Sequence, residues 1–130
     1  MPKTLVIEGS RVHDIPSFYD EINRVFMADA DWKLGPSLDA LDDLLYGGFG
    51  VLHGEPTITL VWNAFETCRE ALGRGTTRAY YLKKLAEPSR YNVERIKSDL
   101  AALEAGTGPT YFEIVLQIIA EHPNIALQAR

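Results

Sequence analysis

Three short β-prone runs, separated by segments of helical character, constrain the fold of this chain more than any other feature of its sequence. The clearest run is TITLVW at residues 57–62, where β-branched and apolar residues follow Pro56. TLVI at residues 4–7 and NIALQA at residues 124–129 are the other two. Because a connection long enough to hold a helix is what parallel neighbours require, the three runs predict a parallel sheet in an α/β fold.

Apolar residues recur at helical spacing between these strands. Asp14 gives a start signal for a first helix that ends near residue 28, and Ser37 is placed to cap a second helix that stops at Gly47. Further helices are expected at residues 64–72, at 93–105 and at 111–121. At 130 residues the chain is expected to form one domain, with residues 74–109 as a weakly patterned insertion before the last helix.

Charge is unevenly distributed along the chain. Residues 1–68 hold eleven acids and four bases, residues 69–97 hold three acids and eight bases, and the whole chain has a formal net charge of −5. The insertion is therefore basic and the body acidic. The negative total argues against generic nucleic-acid binding, because phosphate contacts rely on Lys and Arg. The tyrosines among these bases (Tyr80, Tyr81 and Tyr91) leave three possibilities open: packed side chains, a single-strand binding surface, or a segment that masks the chain's own acidic face.

The segment PSLDALDDLLYGG, residues 36–48, carries three aspartates within one short helix. Leu38, Leu41 and Leu45 fall on one face, and Asp39, Asp42, Asp43 and Tyr46 share the neighbouring arc. Asp39 and Asp43 are one turn apart, which costs a few tenths of a kcal/mol in repulsion (~0.2–0.5). The helix N-terminus offsets part of that cost for Asp39. The pattern is compatible with a solvated helix face, an acid/base or metal site, or a surface that meets a cationic partner.

The remaining sequence gives no support to a catalytic or metal site. The three histidines, His13, His53 and His122, show no ligand spacing, and no nucleophile, phosphate-loop or zinc motif is present. We therefore expect a protein that is not an enzyme and has no cofactor or metal. The single Cys68, the absence of a signal-peptide pattern and the absence of ~18 consecutive apolar residues predict a cytoplasmic location with no membrane span.

The acidic helix and three other segments resemble the barstar family of ribonuclease inhibitors. SLDALDDLL is similar to that family's acidic helix, VIEGSRV to its first strand and turn, LVWNAFE to its second strand and following helix, and EIVLQII to its last helix. The resemblance covers roughly residues 3–73 and 110–129 and leaves the basic insertion without a counterpart. It implies a three-layer arrangement in which helices flank a three-stranded parallel sheet, with Trp62 in the core.

The resemblance also implies a function and a set of residues. In the family, the helix acids and the loop before them block the basic active site of a ribonuclease and imitate RNA phosphates. The inhibitor acts as an immunity protein, and it binds the enzyme one-to-one. Asp39 and Asp43 correspond to two aspartates of that surface, the second being dominant, and Glu113 corresponds to a contacting glutamate.

This chain departs from the family pattern in the loop at residues 29–37. Paired tyrosines are missing there, Trp32 could supply the aromatic surface instead, and Lys33 has the wrong sign for a basic cleft. Asp42 stands where the family has tryptophan, and Phe49 lies near another aromatic position. The predicted partner surface consists of Trp32, Gly35, Asp39, Asp42, Asp43, Tyr46, Phe49 and Glu113. The alternative is a barstar-like interaction or regulatory module that has no nuclease target.

Overall fold

A three-stranded parallel sheet forms the centre of the protein in a computed structural model that describes residues 3–130. The strands are β1 (Lys3–Glu8), β2 (Ile58–Asn63) and β3 (Ile125–Ala129), and β2 pairs in parallel with both of the others. The central strand buries Leu60, Val61 and Trp62 in succession, as a strand covered on both faces does. The predicted α/β fold with a three-stranded parallel sheet is confirmed.

Within residues 3–130, six α-helices connect and cover the strands. They are α1 (Ile15–Phe26), α2 (Leu38–Leu45), α3 (Phe65–Ala71), α4 (Arg74–Leu85), α5 (Val93–Ala105) and α6 (Tyr111–Ala120). Asp14 and Thr110 begin α1 and α6 with reciprocal side-chain and backbone hydrogen bonds, which satisfy the first free N–H groups. The predicted order of elements is confirmed, except that α4 was not predicted. Its polar sequence RGTTRAYYLKKL has no broad apolar stripe, and only Thr77 and Tyr81 are buried in it.

Trp62 lies fully buried at the centre of an aromatic cluster. Its ring lies 6.1 Å from Phe18 and 5.5 Å from each of Phe65 and Phe112, and its indole N–H donates to the Cys68 sulfur at 3.2 Å. Burial raises the pKa of the Cys68 thiol. The core position expected for Trp62 is confirmed, and Cys68 is a packed residue of that core.

Helices α4 and α5 pack against each other around a small core of their own, formed by Tyr81, Ile96 and Leu103. This pair, which we call the α4–α5 hairpin, joins the main body near the start of α6. The Tyr80 ring lies 5.1 Å from that of Tyr111, and the Thr77 hydroxyl accepts a hydrogen bond from the Tyr111 N–H at 2.7 Å. These contacts place the hairpin beside α6.

Candidate partner-binding site

Helix α2 exposes the carboxylates of Asp39 and Asp43, and its leucines hold the helix against the core. The Ser37 hydroxyl caps the helix by accepting from the Ala40 N–H at 3.1 Å. Leu41, Leu44 and Leu45 are buried, whereas Asp39 and Asp43 are exposed one turn apart. The predicted leucine face is confirmed for two of its members, Leu41 and Leu45. Leu38 is only partly buried, and Leu44 takes its place in the core.

Asp42 is set apart from the other two aspartates by a buried histidine. His122 is only 3% exposed, and its Nε2–H donates to the Asp42 carboxylate at 2.6 Å. The exposed Tyr46 ring stands edge-on to the His122 ring at 4.6 Å. Two residues after His122, Asn124 donates to the Leu45 carbonyl at 3.2 Å, at the end of the helix. Asp42 therefore anchors α2 to the loop between α6 and β3, a role that no local pattern signals because the partners lie 80 residues apart.

Replacing His122 by alanine is expected to lower the free energy of unfolding by about 1–3 kcal/mol, because the half-buried Asp42 carboxylate loses its hydrogen-bond donor. Urea denaturation followed by circular dichroism measures this loss. The matched control is His53→Ala, which removes an exposed imidazole that forms no side-chain hydrogen bond within residues 3–130. Equal stability of the two variants would show that the Asp42 contact does not anchor the helix.

The loop before α2 is fixed to α1 by a single asparagine. The Leu34 N–H donates to the Asn23 side-chain oxygen at 2.6 Å, and the Asn23 amide donates to the Leu34 carbonyl at 3.2 Å. Trp32 is 49% exposed, and its ring lies 5.1 Å from that of Phe49. The structure thus brings together two of the three predicted aromatic residues of the site, Trp32 and Phe49, and leaves much of the indole open to solvent.

Gly35 and Glu113 have less distinctive surroundings. Gly35 is exposed, and a Cβ atom added at its position would have no neighbour within 4 Å, so packing at Cβ does not require glycine there. Glu113 is exposed in the first turn of α6, where its carboxylate accepts from the Thr110 N–H at 2.9 Å. In the described part of the chain it makes no ion pair and no hydrogen bond to α2. Glu113 therefore has a structural role as a helix cap, and its contact with a partner stays a prediction.

The N-terminal end of α2 also borders a groove formed with the α4–α5 hairpin. The groove has a volume of about 500 Å³, with Asp39 on one wall and Lys84 and Arg95 on the other. Across residues 3–130, neither Asp39 nor Asp43 forms an ion pair with a base of the hairpin. The hairpin therefore borders the acidic face without an ion pair to it, and masking of that face by the basic segment stays a prediction.

Among residues 3–130, no cluster of three or more His, Cys, Asp or Glu side chains could hold a metal ion. No helix there has both the length and the apolar surface needed to cross a membrane.

Fold and site define a small parallel α/β protein that displays exposed carboxylates on a firmly anchored helix. The chain belongs to the barstar family: the family model described as Barstar (barnase inhibitor) matches residues 2–98. The match continues through α4 into α5, so it gives residues 74–98 a counterpart that the resemblance described above did not. A comparison with curated proteins finds no match for this chain.

Proposed function

We propose that this chain is an immunity-type inhibitor that acts in the cytoplasm and blocks the active site of a ribonuclease. The observation that carries the proposal is the exposure of Asp39 and Asp43 on α2, with no ion-pair partner among the described residues. Membership of a family described as barnase inhibitors supports the same conclusion.

The geometry suits a cationic active site. Ribonucleases hold phosphates with Arg, Lys and His, so an inhibitor needs carboxylates at fixed positions, and complementary charge also raises the association rate. Ser37 caps one end of α2, and His122 and Asn124 hold the other. Because the helix is ordered before binding, less conformational entropy is lost on association. Trp32 and Tyr46 are exposed aromatic residues of the predicted surface, and aromatic residues are enriched in interface centres.

The test is to mix the purified chain with barnase and with other ribonucleases whose active sites are basic. We expect inhibition of RNA cleavage, a one-to-one complex by calorimetry, and an association rate that falls as salt is added. Bovine serum albumin, an acidic protein, replaces the chain as the control for non-specific charge effects. Absence of inhibition and of complex formation with every enzyme tested would refute the proposal.

A barstar-like interaction module without a nuclease target is the second candidate. Two observations favour it. Lys33 is an exposed base in the loop, and a basic cleft would repel it. Asp42 is already hydrogen-bonded to His122 within the protein. A module of this kind would bind none of the ribonucleases, and Lys33→Ala would not change that. If the proposed inhibition is real, Lys33→Ala should preserve it or tighten the complex.

A further inference from the structure

We propose that the groove between α2 and the α4–α5 hairpin is a second part of the partner-binding surface, and that it receives an acidic side chain at the rim of the nuclease's basic cleft. This inference rests on the proposed function, because it describes the surface of the same bound enzyme. It assigns the hairpin a role in choosing among nucleases.

The groove is continuous with the acidic face. Asp39 belongs to both, since it is exposed on α2 and also lines the groove opposite Lys84 and Arg95. A partner that contacts Asp39 must therefore lie next to the hairpin. With a volume of about 500 Å³, the groove is large enough for side chains of that partner to enter.

Lys84 is held in place by aromatic rings and not by an acid. Its ammonium lies 4.4 Å from the centre of the Tyr80 ring and 5.0 Å from that of Tyr91. These contacts fix the charge, and the N–H groups can still donate to an added carboxylate. Within residues 3–130, Lys84 forms no ion pair with a carboxylate.

Arg95 is an exposed base that likewise has no ion-pair partner in the described chain. Other arginines of the same hairpin are paired: Arg78 with Glu104 at 2.6 Å and Arg90 with Glu87 at 3.4 Å. Lys84 and Arg95 are therefore two cations that line the groove without forming an ion pair in the described chain. A partner that supplies a carboxylate there would pair with them.

The groove fits a protein partner better than RNA. Lys84 already lies over the rings of Tyr80 and Tyr91, and Tyr81 is buried, so base stacking has no free aromatic face of the kind that single-strand binding uses. Asp39 and Asp99 also line the groove and would repel phosphates. A protein surface that places a cation beside an acid can pair the cation with Asp39 and the acid with Lys84 and Arg95.

This arrangement predicts selectivity. An enzyme with a basic cleft and an acidic rim satisfies Asp39, Lys84 and Arg95 together. An enzyme whose rim is basic would place like charges against Lys84 and Arg95, and the repulsion would lower its affinity for this chain. The hairpin would therefore narrow the range of nucleases that the acidic helix alone could bind.

The experiment compares the double variant Lys84→Glu, Arg95→Glu with the control Lys83→Glu, Lys97→Glu, which reverses two exposed bases of the same helices outside the groove. Dissociation constants are measured against each ribonuclease that the unaltered chain inhibits. We expect the groove variant to bind at least about tenfold more weakly than the control. Circular dichroism verifies that each variant is folded. If the double variant is unfolded, the single variant Arg95→Glu replaces it in the binding measurement.

Equal binding by the groove variant and its control would overturn the inference while leaving the proposed inhibition intact. If the unaltered chain bound no ribonuclease, the proposed function and this inference would both fail. A fluorescent single-stranded oligoribonucleotide is titrated in parallel. Binding that is lost in the groove variant would assign the groove to RNA and also overturn the inference.

Discussion

Replacing Asp43 by alanine is expected to weaken the complex with the inhibited ribonuclease more than any other single substitution. Asp43 is exposed, one turn from Asp39, on a helix whose position the core fixes. A cation of the enzyme paired with it would be left buried and unpaired, which costs about 2–5 kcal/mol, or roughly 30- to 5,000-fold in the dissociation constant. The barnase–barstar complex is among the systems from which that range comes, so it is not an independent estimate for this family member.

Calorimetric titration of barnase, or of whichever ribonuclease the chain inhibits, measures the effect. Asp39→Ala should weaken the complex less, because the helix N-terminus already compensates part of that charge. Glu70→Ala is the matched control, since it removes an exposed acid of α3 outside the site and tests whether net charge alone matters. Unchanged affinity of Asp43→Ala would refute the residue assignment taken from the family resemblance, even if inhibition itself were confirmed.

Local sequence signals account for most of the fold. The strand TITLVW became β2, and the start signals at Asp14 and Ser37 became observed helix caps. These predictions succeed because β propensity, helix capping and apolar spacing depend on neighbours along the chain. Helix α4 was missed for the complementary reason: Tyr80 and Tyr81 pack against residues of α6 and α5 that are distant in sequence.

In the site, too, local sequence predicts some features, and contacts between distant residues determine the others. That Asp39 and Asp43 lie beside a leucine face follows from helical geometry, and their exposure agrees with it. The bonds that position the site join distant residues: His122 to Asp42, Asn124 to Leu45, and Asn23 to Leu34. A polar residue that forms such a bond looks in the sequence like any solvated residue. For this reason Asp42 could be predicted as a surface acid, but not as an anchor of the helix.

Replacing Trp62 by alanine is expected to have the largest effect on stability, lowering the free energy of unfolding by about 3–5 kcal/mol. The side chain is fully buried, and three aromatic rings from α1, α3 and α6 surround it on the central strand. Alanine would leave a cavity between these elements and would also remove the donor to Cys68. Urea denaturation measures the loss, and because small domains have a total stability of only about 5–15 kcal/mol, part of the variant is expected to be unfolded at 37 °C.

Trp62→Phe separates packing from hydrogen bonding, because phenylalanine keeps an aromatic ring in the cluster but lacks the indole N–H. We expect it to lose clearly less stability than the alanine variant, since most of the stabilisation comes from the buried rings and little from a weak N–H to sulfur contact. Comparable losses for both would mean that the Cys68 bond carries the effect. A loss below about 1 kcal/mol for Trp62→Ala would contradict the close packing of this core, because cavities of that size are costly wherever neighbours cannot collapse into them.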